Sequence, residues 1–148
     1  MTTMRADIAL LQAPTMERTQ SQKGSVLVEF AFILPVFLTL LFGMITFSIA
    51  MYNKTVLTMA TREGARAGAK YVANRTNATT ISNASDAVTN ACVNNLITFG
   101  ATAMTPIVTT NADPMSDKVL TVTASVNYTG LYIFSGLSIS AQTSMRLE

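Results

Sequence analysis

Gly24-Ser25-Val26-Leu27-Val28-Glu29-Phe30 holds the residues whose types and spacing point most directly to chemistry. The stretch opens a long apolar run, and across residues 26–51 Glu29 is the only ionisable side chain. A bilayer core of about 30 Å is spanned by about 20 apolar residues in helical form, so the run is long enough to cross a membrane. A carboxylate in such a segment costs a few kcal/mol or more and marks a functional position by default. Its spacing suggests what offsets that cost. If the bond after Gly24 is cut, Ser25 carries a free α-amino group, and Glu29 lies four residues on, on the same helix face. The carboxylate then sits in the first turn, where the helix dipole also favours an anion. The new ammonium and the old carboxylate neutralise each other, within one chain or between neighbours. In the uncut chain the nearby cations are Arg18 and Lys23.

Those residues need a helix to carry them, and the pattern supplies one. Residues 1–24 are polar, contain Arg5, Pro14, Arg18 and Lys23, and read as a leader with at most a short helical patch around residues 8–11. Residues 25–71 read as one long helix, which at about 1.5 Å per residue is too long for any bilayer. Residues 25–51 are the apolar part and 52–71 the extension into water. Pro35 should loosen or kink the helix, since it lacks an N–H and its ring crowds residue 31. In the extension, Tyr52, Val56, Met59, Ala60, Ala67 and Tyr71 fall on one face at helical spacing, and Arg62, Arg66 and Lys70 on another.

Beyond the long helix, residues 74–82 form a polar loop in this reading, and a second helix spans 82–99. Ser82 or Asn83 is its cap, Ala84, Ala87, Val88, Ala91, Cys92, Leu96 and Phe99 its apolar stripe, and Gly100 its C-terminal stop. Strands lie within 103–147. Residues 103–110 make a weak candidate that Pro106 confines to a sheet edge, and residues 111–117 a turn. Leu120, Val122, Ala124, Val126 and Tyr128 then alternate with polar residues, as do Leu137, Ile139, Ala141, Thr143, Met145 and Leu147. The fold class is α+β: a long N-terminal membrane-anchored helix packed on a small antiparallel β-meander, with a second short helix. The domain after the membrane segment spans 52–148.

Composition excludes several functions. Net charge is only +2, and basic residues do not interleave with aromatics, so nucleic acid is not a partner. There is no His, no paired Ser and base and no Gly-rich phosphate loop, and the eight acidic residues are scattered; catalysis, a metal site and a cofactor are not expected. Cys92 is the single cysteine, on an apolar face, and is expected to be a buried structural thiol. Five Asn-x-Ser/Thr sequons, at Asn53, Asn74, Asn77, Asn83 and Asn127, follow from the Asn- and Thr-rich composition.

The segment with Gly24, Ser25, Glu29 and Phe30 resembles the class III signal of type IV pilins and pseudopilins. The fuller run Gly-Ser-Val-Leu-Val-Glu-Phe-Ala-Phe-Ile-Leu-Pro is similar to the TadE-like family, minor pseudopilins of the tight-adherence (Tad/Flp) pilus. A second match, Ala60-Thr61-Arg62-Glu63-Gly64-Ala65-Arg66-Ala67-Gly68-Ala69, resembles the motif that follows the membrane helix in that family. The resemblance implies a structural, non-catalytic pilus subunit, cut between Gly24 and Ser25 by a prepilin peptidase. The implied partners are that peptidase, other pilins and pseudopilins, the Tad assembly platform and inner-membrane lipid. The implied location is the bacterial inner membrane, single-pass, with a cytoplasmic N-terminus and a periplasmic or extracellular domain, and a role in adhesion.

Within the second motif, Ala60, Gly64 and Gly68, and Ala65 and Ala69, lie four apart and read as close-packing positions, either within the chain or against another pseudopilin. Arg62, Arg66 and Lys70, their repulsion partly offset by Glu63, read either as a solvated face or as a docking surface for anionic headgroups or an acidic partner. A second reading of the whole chain is an unprocessed single-pass protein with a small periplasmic interaction domain. Lys54, Arg62, Arg66 and Lys70 follow the span, so charge counting alone slightly favours the opposite orientation; cleavage at Gly24 requires that end on the peptidase's side. A third reading, cleavage by ordinary signal peptidase after Ser48-Ile49-Ala50, is opposed by an apolar run too long for a signal peptide. Intact mass of the chain from cells with a cognate peptidase distinguishes these: residues 25–148 are expected, and a mass for 1–148 or 51–148 contradicts cleavage at Gly24.

Overall fold

The computed structural model describes residues 18–99, 104–129 and 135–147. It contains helix α1 (Arg18–Ala69), α2 (Asn77–Cys92), strand β1 (Ile107–Thr110), the one-turn α3 (Pro114–Asp117), β2 (Val119–Thr129) and β3 (Ser135–Arg146). The fold is α+β, with a single antiparallel sheet of order β1-β2-β3. The chain divides into two compact units, Met1–Leu41 and Phe42–Glu148, and α1 contributes to both.

In the first unit α1 is apolar on every side. Val26, Leu27, Phe30, Phe32, Ile33, Val36, Phe37 and Leu40 are all exposed. A helix hydrophobic all round must be covered by other protein or by lipid, and α1 is long and apolar enough to cross a membrane. It runs through Pro35 as one continuous helix, so any loosening or kink at the proline does not end it. The Thr39 hydroxyl donates to the Pro35 carbonyl at 2.8 Å. The helix begins at Arg18 rather than at Ser25, so the end of the leader is helical in the uncut chain. The helical patch proposed at 8–11 lies outside the described residues.

In the second unit, α1 packs through a stripe that includes the expected close-packing positions Ala60, Gly64, Ala65 and Gly68 but otherwise departs from the sequence reading. Thr46, Ala50, Asn53, Leu57, Ala60, Thr61, Gly64, Ala65 and Gly68 are buried, at steps of three and four residues. Tyr52, Met59 and Tyr71, assigned to one face with Ala60 by their helical spacing, are exposed. Small side chains win because the neighbouring backbones come very close. A Cβ on Gly64 would lie 2.9 Å from the Ala84 carbonyl oxygen and 2.4 Å from Val88 Cγ2. On Gly68 it would lie 2.9 Å from the Thr80 carbonyl oxygen and 2.5 Å from Leu120 Cδ2. The same stripe therefore meets α2 on one side and β2 on the other. The core is completed by Leu120, Val122, Ala124, Val126 and Tyr128 of β2 and by Ile139 and Ala141 of β3.

The second helix is displaced from its expected 82–99. It starts at Asn77, and its cap is Thr76, not Ser82 or Asn83. Thr76 accepts from the Thr79 amide while the Thr79 hydroxyl accepts from the Thr76 amide, a reciprocal capping box. It ends at Cys92: Asn94 adopts a left-handed φ of 64°, so Leu96 and Phe99 lie beyond the helix. Gly100, the expected stop, is outside the described residues. At the C-terminus of α1, Arg75 Nη1 donates to the Ala69 carbonyl at 3.1 Å, placing a cation where the dipole is negative.

The strands follow their alternation closely. Leu120, Val122, Ala124, Val126 and Tyr128 all point inward. β1 is an edge strand that starts just after Pro106. The expected turn at 111–117 contains α3, capped by Asp113, whose carboxylate accepts from the Ser116 amide. Asn111 continues β1 by its side chain, accepting from the Thr121 amide and donating to the Val119 carbonyl.

Gly64→Ala and Gly68→Ala are each expected to destabilise the second unit by about 1–3 kcal/mol, the usual cost of overpacking. Gly24→Ala meets nothing within 4 Å and is expected to leave that unit unchanged. Thermal denaturation of the detergent-solubilised chain, followed by circular dichroism, checks the contrast.

Candidate functional site

The residues proposed for processing lie together on the first unit's surface. Gly24, Ser25, Glu29 and Phe30 are all exposed. The Ser25 hydroxyl points at Glu29 Oε1 over 3.4 Å, a weak contact that nevertheless shows the two residues on one face. A charge placed on the Ser25 nitrogen would arise one helical turn from that carboxylate.

Gly24 differs from the glycines of the second motif. A glycine within a helix costs about 1 kcal/mol relative to alanine. At Gly64 and Gly68 the cost returns close packing. At Gly24 an added Cβ meets no atom within 4 Å, so the fold itself does not call for glycine there. The requirement, if there is one, comes from something that approaches the chain.

The second motif divides between two sides of α1. Gly64, Ala65 and Gly68 are buried against α2 and the sheet, and intramolecular packing accounts for them. Arg62, Glu63 and Arg66 are exposed, and packing does not account for them. The motif is thus a packing edge that carries a charged outer edge on the same helix.

Three polar joints were not anticipated from the sequence. Asn53 is fully buried; its amide donates to the Ile97 carbonyl at 2.7 Å and its Oδ1 accepts from the Ile97 amide at 2.9 Å. This pairing holds the segment after α2 against α1, and it removes the Asn53 sequon from the surface. Thr61 and Thr143 share a hydroxyl hydrogen bond of 3.0 Å between α1 and β3. The Lys54 ammonium donates to the Ser140 carbonyl on β3. The signal was present: positions 46, 50, 53, 57, 60, 61, 64 and 68 keep helical period, but only if Thr, Asn and Gly count as core residues. Cys92 is buried, and burial pushes its thiol above the ordinary range, which keeps it protonated and inert.

Comparison with known families gives one match. Residues 24–66 match the model of the family described as TadE-like protein. The matched stretch begins at Gly24 and ends at Arg66, so it takes in the first motif and the second as far as Arg66. The family is one of Tad-pilus-associated proteins, generally structural components. No curated protein and no solved structure matches the chain.

Asn53→Ala is expected to cost about 1–3 kcal/mol, since it strands the amide and carbonyl of Ile97 in a partly buried place. Denaturant titration measures the loss, and hydrogen exchange at Ile97 should accelerate while β2 stays protected.

Proposed function

We propose that this chain is a minor pseudopilin of a Tad/Flp-type pilus, a structural subunit processed between Gly24 and Ser25 by a prepilin peptidase. The apolar half of α1 anchors it in the inner membrane, single-pass, with residues after 51 outside the cytoplasm. It then joins other pilins and pseudopilins on the Tad assembly platform, in or at the start of a filament used for adhesion.

The observation that carries this reading is the contrast between its glycines. Gly24 sits where the fold makes no demand for glycine, immediately before Ser25 and five residues before Glu29, the exposed pair that shares one helix face. That combination suits recognition by an external peptidase. The surrounding helix also bears on the mechanism. Proteolysis needs an extended segment, and in the uncut chain the bond lies inside α1. Glycine lowers the cost of unwinding that turn by about 1 kcal/mol relative to alanine. After cleavage Ser25 becomes the helix start, and Glu29 lies in the first turn opposite the new ammonium. In an assembled bundle of apolar helices this pair removes two isolated charges.

The unprocessed single-pass reading draws on the same unbroken helix, and mutants separate the two. Glu29→Gln is expected to be cleaved almost normally yet to be captured poorly by partner pseudopilins, because it leaves the Ser25 ammonium unpaired. Gly24→Arg is expected to accumulate as uncut precursor. The precursor-to-mature ratio, co-purification with pseudopilins and surface piliation are the readouts. Wild-type chain that stays full length beside an active peptidase supports the unprocessed reading, and normal assembly of Glu29→Gln contradicts the charge-pairing role.

A further inference from the structure

β3 forms the outer edge of the sheet on its side. Its register with β2 pairs Val119 with Arg146, so the next pair is Lys118 with Leu147, and the Leu147 amide does donate to the Lys118 carbonyl at 3.0 Å. In an antiparallel ladder, residues that exchange backbone bonds with the neighbouring strand alternate with residues that do not. Ile139, Ala141, Thr143 and Met145 therefore turn their backbone groups toward β2. Ser138, Ser140, Gln142, Ser144 and Arg146 turn theirs away from the sheet. The Lys54 bond to the Ser140 carbonyl agrees independently, since that carbonyl must face outward to be reached. Among the described residues, it is the one outward carbonyl of these five with a partner. The side chains of all five are exposed.

Such an edge is a template for another strand, and natural edges are usually blunted by charge, proline or shortness. This one is 12 residues long, and apart from Arg146 at its end it carries neither charge nor proline. Its sequence also fits itself. Two copies set antiparallel about Ala141 place Gln142 opposite Ser140, Ser144 opposite Ser138 and Arg146 opposite Gly136. Ser138, Ser140, Gln142 and Ser144 have outward backbone groups on their own strand, so the Gln142–Ser140 and Ser144–Ser138 pairs can each exchange both hydrogen bonds; Gly136 lies at the register irregularity, outside that ladder. The two arginines fall at opposite ends, and no like charges face each other.

We propose that the outer edge of β3 pairs with the β3 edge of a second copy of this chain, about a two-fold axis at Ala141, and that Lys54 guards this edge. By occupying the Ser140 carbonyl, Lys54 competes with the two central hydrogen bonds from Gln142, one in each direction. The joint is consequently a reversible one. Withdrawing the lysine strengthens it, and any group that draws off the ammonium acts in the same sense.

The test uses the full-length chain in membranes, expressed as two differently tagged copies with the buried Cys92 left in place. Ser138→Cys on one copy and Ser144→Cys on the other are directly opposite in the proposed register and should give a disulfide-linked dimer carrying both tags. Ser82→Cys, exposed on α2, replaces Ser138→Cys as the control and should give none. Adding Lys54→Met should raise the cross-linked yield. Adding Gln142→Pro should lower it roughly tenfold or more, because symmetry removes the same hydrogen bond twice. Proline is tolerated there by the intramolecular ladder, since the Gln142 N–H faces outward. Should Gln142→Pro melt abnormally, Ser140→Lys with Gln142→Lys is the alternative, setting lysines against lysines across the axis. The proposal is overturned if the reporter pair yields no more than the control, if the captured partner is a different protein, or if a folded edge variant cross-links as well as the parent.

Discussion

The closeness with which α1 is approached at Gly64 and Gly68 governs the 42–148 unit. The nearest atoms to the missing Cβ positions include two backbone carbonyl oxygens of α2, each 2.9 Å away. A flexible side chain can move aside, but a helix backbone cannot without carrying its whole element. The position of α2, and through Val88 and Leu120 the seating of both helices on the sheet, follows from two absent methyl groups. The rest of the stripe obeys the same limit, with Ala60, Ala65 and Ala84 fully or almost fully buried. Larger residues fill the space only where the elements diverge, as Leu57, Val122 and Tyr128 do.

Closer to its N-terminus the same helix answers to the opposite rule. There bulky side chains point outward on all sides, and none of the described residues covers them. One continuous element thus carries two codes. In the first, large apolar groups face the surroundings and provide affinity for a lipid or for other apolar helices. In the second, small groups face inward and provide proximity. The family match spans the apolar part and most of the close-packed part of α1, ending within the second motif.

The strands were legible because each residue has only two choices of side, and β2 keeps strict alternation from Leu120 to Tyr128. The sequence Ile139, Ala141, Thr143 and Met145 worked for the same reason. Leu137 is exposed despite fitting the pattern; it lies beside the irregularity that pairs Tyr128 with Leu137 but Thr129 with Ser135. Helix α2 was harder. Ser82 and Asn83 look like caps, but the Thr76 and Thr79 pair satisfies two amides at once and so starts the helix earlier. Leu96 and Phe99 extend the apolar rhythm past Cys92, where Asn94 has already turned left-handed. The packing face of α1 was only partly legible because the apolar residues at helical spacing include the exposed Tyr52, Met59 and Tyr71, whereas the buried stripe also uses Thr46, Asn53, Thr61 and two glycines. The Gly24–Phe30 segment was legible as a motif for a different reason: among the described residues no tertiary packing shapes it, and its residue types and spacing stand out by themselves.

The joints that close the head have a chemical character in common. Thr61 meets Thr143, Thr121 meets Ser144, and Asn53 brackets the Ile97 peptide. All are bonds between uncharged hydroxyl and amide groups. Such bonds have no proton to lose near neutrality and no net charge for dissolved ions to screen. While the Lys54 ammonium on the Ser140 carbonyl is a charged joint beside them, these uncharged seams are insensitive to acidity and salinity. That tolerance comes from threonine, serine and asparagine, the residues that make the C-terminal half look featureless when it is written out in one line.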